Sequence, residues 1–181
     1  MLGDSLSAAY NIPREAGWVN LLREKIQAIL PDATVINASV SGATTAAGLQ
    51  VLPGHLRHYQ PSLVILELGA NDGLQGKPVP YITANLKRLI ELSQQAGAEV
   101  ILVGVRLPPN YGAGYTEPFF NQYAKLSEAY QLGYVPFILE GVAGRDEVMQ
   151  EDGLHPEAKA QPRVLANLWP AVAEALKGHL Y

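Results

Sequence analysis

The chain has 181 residues, 48% hydrophobic and 17% charged, with 17 glycines and 13 prolines, a balance that excludes a disordered chain and fits one globular domain over residues 1–181. A net charge of −4, with Lys and Arg scattered along the chain, leaves no basic stripe for a phosphate backbone and excludes nucleic acid as an expected partner. With no cysteine there is no disulfide framework, thiolate metal site or cysteine nucleophile, and no apolar run approaches the roughly 20 residues of a membrane span, so no stable membrane anchor is expected.

Only Met1 and Leu2 precede the first motif, Gly3-Asp4-Ser5-Leu6, whereas an ordinary strand has about five or six residues. The first strand therefore reads as cut short, and the expectation is that the natural chain continues upstream, with a removed signal peptide among the preceding residues. Trp18-Val19, Leu21-Leu22, Ile26 and Ile29-Leu30 then recur at helical spacing and stop at Pro31. Val35-Ile36 reads as a second strand, broken at Ser41-Gly42, and Thr44-Thr45 opens a helical stretch interrupted by Pro53 and ending before Pro61.

Leu63 to Leu68 is nearly continuous apolar, the pattern of a strand buried on both faces of a parallel sheet. Gly69 to Gly76 reads as a loop, Val79 to Gln95 as a helix stopped at Gly97, and Val100 to Val105 as a second buried strand. Pro108 begins a long irregular loop, Phe119 to Leu132 a helix, and Val135 to Leu139 a last strand whose Pro136 demands a sheet edge. A polar loop carries Asp152-Gly153-Leu154-His155, and a final helix spans Pro156 to Leu176 with bends expected at Pro162 and Pro170.

Five strands alternating with helices imply a three-layer α/β sandwich around a parallel sheet, with right-handed crossovers. In such sheets ligands bind beyond the carboxyl ends of the strands. Gly3-Asp4-Ser5, Ser41-Gly42, Asn71 and Pro108 to Tyr115 all follow strands, so they should share one rim.

A serine hydroxyl needs an adjacent base to attack an acyl carbon. Ser5 is the candidate nucleophile and His155 the base, with Asp152 folded back through Gly153 to hold one imidazole nitrogen while the other faces Ser5. The negative oxygen of a tetrahedral intermediate needs preorganised donors, for which Ser5 N–H, Gly42 N–H and the Asn71 side-chain amide are the candidates. Taken singly, each has a plainer role as helix cap, turn glycine or Asx turn. His55 and His58 stand three apart on a predicted helix with no third ligand near them in sequence, and Asp72 is read as a turn residue.

Together the four blocks, Gly-Asp-Ser-Leu at 3 to 6, Gly42, Gly-x-Asn-Asp at 69 to 72 and Asp-x-x-His at 152 to 155, resemble those of the SGNH hydrolases, also called the GDSL esterase/lipase family. The likeness extends to a bacterial periplasmic branch of thioesterases, lysophospholipases and arylesterases, through Gly3 to Tyr10, Gly17-Trp18-Val19, Asn37 to Gly42, Leu68 to Leu74 and Arg106 to Gly112. It implies Ser5, His155 and Asp152 as the triad; Ser5, Gly42 and Asn71 as the oxyanion donors; and a flavodoxin-like five-stranded sheet in the order 2-1-3-4-5. It also implies a monomer without cofactor or metal, in the periplasm or secreted, acting on small acyl esters, thioesters or lysophospholipids. Asp4, Leu74, Gln75, Gly76, Leu107, Pro108, Asn110 and Tyr111 are the expected substrate contacts. Two rivals stand beside this reading: a carbohydrate O-acetylesterase with the same triad, and a flavodoxin-like module that cradles a phosphate on the amides of Ser41 to Thr45.

Overall fold

The structure, a computed structural model, describes residues 1–180. Four strands, β1 (Leu2–Gly3), β2 (Leu63–Glu67), β3 (Glu99–Val103) and β4 (Gly133–Val135), form one parallel sheet in that order. The central strands are buried on both faces, as their nearly continuous apolar runs require: Leu66 and the residues Ile101 to Val103 are fully enclosed.

Helices cover both faces. α1 (Trp18–Gln27) and α6 (Gln161–Leu176) pack together on one, while α2 (Thr45–Tyr59), α4 (Val79–Gln95) and α5 (Ala113–Tyr130) line the other. A short helix, α3 (Ala70–Leu74), follows β2. α1 buries Trp18, Leu22 and Ile26, and α6 answers with Val164, Leu168 and Val172. Across the sheet, α4 supplies Ile82, Leu86, Leu89 and Ile90, and α5 supplies Phe119 and Tyr123, all with no exposed surface. Burying each such large apolar side chain contributes about 1.5–3 kcal/mol.

The sheet has four strands where five were expected. Val35-Ile36 forms no strand of its own, but the chain from Ile36 to Val40 runs along the outer edge of β1: the Met1 ammonium donates to Ile36 O at 2.8 Å, Ala38 N to Met1 O at 2.8 Å and Val40 N to Gly3 O at 3.0 Å. The segment occupies the place of the second strand in the 2-1-3-4-5 order, against a β1 of two residues that offers little ladder. The last strand also starts earlier, at Gly133, where a Cβ would lie 2.8 Å from Ile101 Cγ1, and Pro136 ends it on the sheet edge.

Several helix bounds differ from expectation. α5 begins at Ala113 rather than Phe119 and carries Pro118 inside it, and α2 runs unbroken through Pro53. Pro162 lies in the first turn of α6, where its missing N–H costs nothing. α1 ends at Gln27, three residues short of the apolar pattern.

At the end of β2, Gly69 adopts φ +122°, and a Cβ there would fall 2.2 Å from the Tyr123 hydroxyl, which donates to Leu68 O at 2.8 Å. Gly69→Ala is therefore expected to destabilise the protein by about 2–4 kcal/mol through strain and overpacking. Denaturant unfolding checks this, and an unchanged midpoint would show that the Tyr123 contact is loose.

Candidate active site

Every loop at the carboxyl ends of the strands opens onto one cleft of about 320 Å³, lined by Ser5, Gly42, Asn71 and His155 among others. A larger cavity of about 650 Å³ lies at the opposite end, between α1, α2 and the start of β2, and contains none of the candidate residues. The smaller cleft is the one with chemistry, because nucleophile, base and donors meet only there.

Ser5 sits in the turn after β1. Asp4 O accepts from Ser7 N at 3.1 Å and Ala8 N at 2.9 Å, and Asp4 Oδ1 accepts from Leu6 N at 3.0 Å, so the turn is locked by the residue before the serine. Trp18 Nε1 donates to Leu6 O at 3.0 Å and Asn37 Nδ2 to Ser7 O at 2.9 Å, pinning the turn to α1 and to the segment beside β1.

Ser5 Oγ lies 2.7 Å from His155 Nε2, and His155 Nδ1 lies 2.6 Å from Asp152 Oδ2. An ionised Asp152 requires Nδ1 to carry the proton, which leaves the Nε2 lone pair to accept from the Ser5 hydroxyl. Gly153 at φ +66° makes the return possible, and Asp152 Oδ1 accepts from Leu154 N at 2.9 Å and His155 N at 3.1 Å. Burial alone would raise the Asp152 carboxyl, but these hydrogen bonds and the His155 ring outweigh it and hold it below its ordinary 3.8. The Tyr10 ring lies over His155 with centroids 4.3 Å apart.

Gln150 joins the two halves of the site. Its Nε2 donates to Tyr10 O at 3.0 Å and to Pro156 O at 3.1 Å, while its Oε1 accepts from Asn11 Nδ2 at 3.2 Å. The histidine loop is thereby fastened to the serine turn by side chain rather than by sheet.

Gly42 has φ +82° with open space where a Cβ would stand, and no acceptor among the described residues takes its N–H or that of Ser5. Asn71 Nδ2 donates one hydrogen to Ala43 O at 3.0 Å, leaving the other for the cleft. The neighbouring Asp72 is no surface turn residue: it is 1% exposed, and its carboxylate accepts from Thr45 N at 2.8 Å and Thr45 Oγ1 at 2.7 Å. Asn85 Nδ2 also donates to that hydroxyl at 3.0 Å, so the Gly42 and Asn71 loops are held in a fixed relation. The same contacts rule out the phosphate cradle. Thr45 N is already satisfied by a carboxylate, Ala47 N by the Thr44 hydroxyl and Ala43 N by Val40 O, and Asp72 would repel an anion.

Of the expected substrate contacts, Leu74, Leu107 and Pro108 line the cleft. Asp4 borders it, but its carboxylate turns inward to Leu6 N and Glu67. Gln75, Gly76, Asn110 and Tyr111 lie outside the lining; Tyr111 instead donates to Leu74 O at 3.0 Å and braces that turn. Tyr10, Leu139 and Leu154 line the cleft without having been assigned to it from sequence. His55 and His58 pack against Tyr59, and the described residues contain no group of three metal-ligating side chains.

The model of the GDSL-like lipase/acylhydrolase family matches residues 1–162. An arylesterase of Vibrio mimicus is 47% identical over 182 residues, covering 99% of this chain and 88% of its own. A protein of Escherichia coli named thioesterase 1/protease 1/lysophospholipase L1 is 41% identical over 162 residues, covering 90% and 76%. The crystal structure of TesA superposes with a TM-score of 0.93 at 43% identity, covering 97% of each chain.

Asp72→Ala is expected to lower stability by about 2–3 kcal/mol, because the buried Thr45 N–H loses its acceptor. Urea unfolding measures it, and a loss under about 0.5 kcal/mol would mean the brace is dispensable.

Proposed function

The chain belongs to the GDSL-like lipase/acylhydrolase family and is a carboxylic ester hydrolase of the serine esterase type; on that premise we propose that it cleaves small acyl esters through an acyl-enzyme formed on Ser5. The observation that carries this reading is the hydrogen-bonded series from Ser5 through His155 to Asp152 at the wall of the cleft.

In this mechanism His155 takes the Ser5 proton on Nε2 as Oγ attacks the acyl carbon, and Asp152 holds Nδ1–H and favours the imidazolium that results. Ser5 N–H, Gly42 N–H and the free Asn71 amide hydrogen donate to the oxyanion. His155 then returns the proton to the departing alcohol or thiol, and water, activated by the same imidazole, releases the acid. The oxyanion donors supply the larger share of rate, since losing one costs about 3–4 kcal/mol in comparable sites.

Leu74, Leu107, Leu139 and Leu154 give the cleft apolar walls. They support acyl or aryl esters over acetylated sugars, whose hydroxyls would lie against these leucines. The names of the relatives add thioesters and lysophospholipids to the substrate range. None of the described helices is long and apolar enough to cross a membrane, and the resemblance supports a monomeric, single-domain enzyme working in the periplasm or outside the cell. A dimer in light scattering would contradict the monomer.

With p-nitrophenyl esters from acetate to palmitate as substrates, Ser5→Ala is expected to abolish hydrolysis while leaving the circular dichroism spectrum unchanged; activity surviving in that variant would remove Ser5 from the mechanism. Asn71→Ala should lower kcat by roughly 10²–10³ with little change in KM. An unaltered kcat would take Asn71 out of the oxyanion site.

A further inference from the structure

Beneath the serine turn lie two carboxyl groups that the mechanism leaves unused. Asp4 is 1% exposed and Glu67 fully buried, and among the described residues neither forms a salt bridge. The β1–β2 register sets Gly3 against Glu67, and a Cβ on Gly3 would lie 2.9 Å from Glu67 Oε1, so glycine at this position lets the carboxyl slide under the turn.

One oxygen of each group is satisfied. Leu6 N donates to Asp4 Oδ1 at 3.0 Å, and Ser7 Oγ donates to Glu67 Oε1 at 2.7 Å. The other oxygens, Asp4 Oδ2 and Glu67 Oε2, are buried and without a donor. Two bare carboxylates side by side in a dry interior are too costly to persist. A single proton between Oδ2 and Oε2 removes both faults, because one carboxyl then donates to the other.

We propose that Asp4 and Glu67 are positioning residues that share one proton, borne on Glu67 and donated to Asp4, fixing a single negative charge behind Ser5 that favours the imidazolium formed by His155. Burial, and then repulsion from Asp4, pushes the Glu67 carboxyl well above its ordinary 4.5. Burial also raises Asp4, opposed by the hydrogen bond with Glu67, the Leu6 amide and the charge of His155.

The titratable groups facing the pair are His155 from the histidine loop and Tyr123 from α5, whose hydroxyl burial keeps neutral. His155 is the one group among them that gains positive charge. The folded protein binds the Glu67 proton more tightly than the unfolded chain does. The stability that this group contributes is therefore fully present below the ordinary glutamate value and is lost as pH rises through the elevated one.

The catalytic part of this proposal rests on His155 as the base; the shared proton does not, so the two can fail separately. Infrared difference spectra of the parent against Glu67→Gln at pH 7 should show a protonated carboxyl band in the parent alone. In kcat/KM profiles, Glu67→Gln should leave the acid limb in place, since its amide mimics the protonated acid. Adding Asp4→Asn should move that limb down by about one unit and lower kcat about ten-fold, as the charge favouring imidazolium is lost. Absence of the carboxyl band overturns the shared proton whether or not the double variant folds. An acid limb that moves as far in Glu67→Gln alone as in the double variant puts the negative charge on Glu67 and the proton on Asp4, and overturns the assignment of the proton.

Discussion

The hydrogen bond between Ser5 Oγ and His155 Nε2 joins residues 150 positions apart, and the rest of the architecture serves to make it short. Neither residue lies in a strand or helix. Each stands on a loop beyond the sheet, and all the strands being parallel is what puts every carboxyl end, and hence both loops, on the same edge. With α6 packed against α1 and β4, the end of the chain returns to where it began, and the histidine loop precedes that helix.

A parallel sheet sets position only coarsely, while proton transfer requires heavy atoms within about 3 Å. The finer placement comes from polar contacts at the loop bases. Trp18 and Asn37 fix the serine turn, Gln150 ties it to the histidine loop, and Thr45 with Asp72 fixes the distance between Gly42 and Asn71. Where such a bond is buried, as between Thr45 and Asp72, it is strong when made and costly when broken, which preorganises the site before substrate arrives. The buried Asp4–Glu67 pair belongs to the same device, acting on the turn from below.

The layer order was legible in sequence because strands buried on both faces read as nearly continuous apolar runs, as Leu63 to Leu68 and Val100 to Val105 do. So was the rim, because glycine and asparagine follow those runs. The boundaries that went astray are those where a local rule yielded to packing. Pro53 was read as an interruption and the residues before Phe119 as loop, yet α2 and α5 continue through Pro53 and Pro118 because Leu52, Leu56, Phe119 and Tyr123 are anchored in the core. The expected second strand failed for the opposite reason: its apolar residues are there, but β1 offers two residues of ladder.

Side chains that act through others were the hardest to read. Gln150 and Thr45 have no motif, since their worth lies in partners remote in sequence. Glu67 did leave a signal, a lone acid closing an otherwise apolar strand, and Asp72 was visible but assigned to a turn. The most direct test of the central claim is mass spectrometry of the protein quenched during turnover of a slow acyl ester, with peptide mapping of the adduct. A single acyl group on the peptide containing Ser5 is the predicted result; an acyl group on Ser41 or elsewhere, or no adduct while hydrolysis proceeds, would contradict the covalent mechanism.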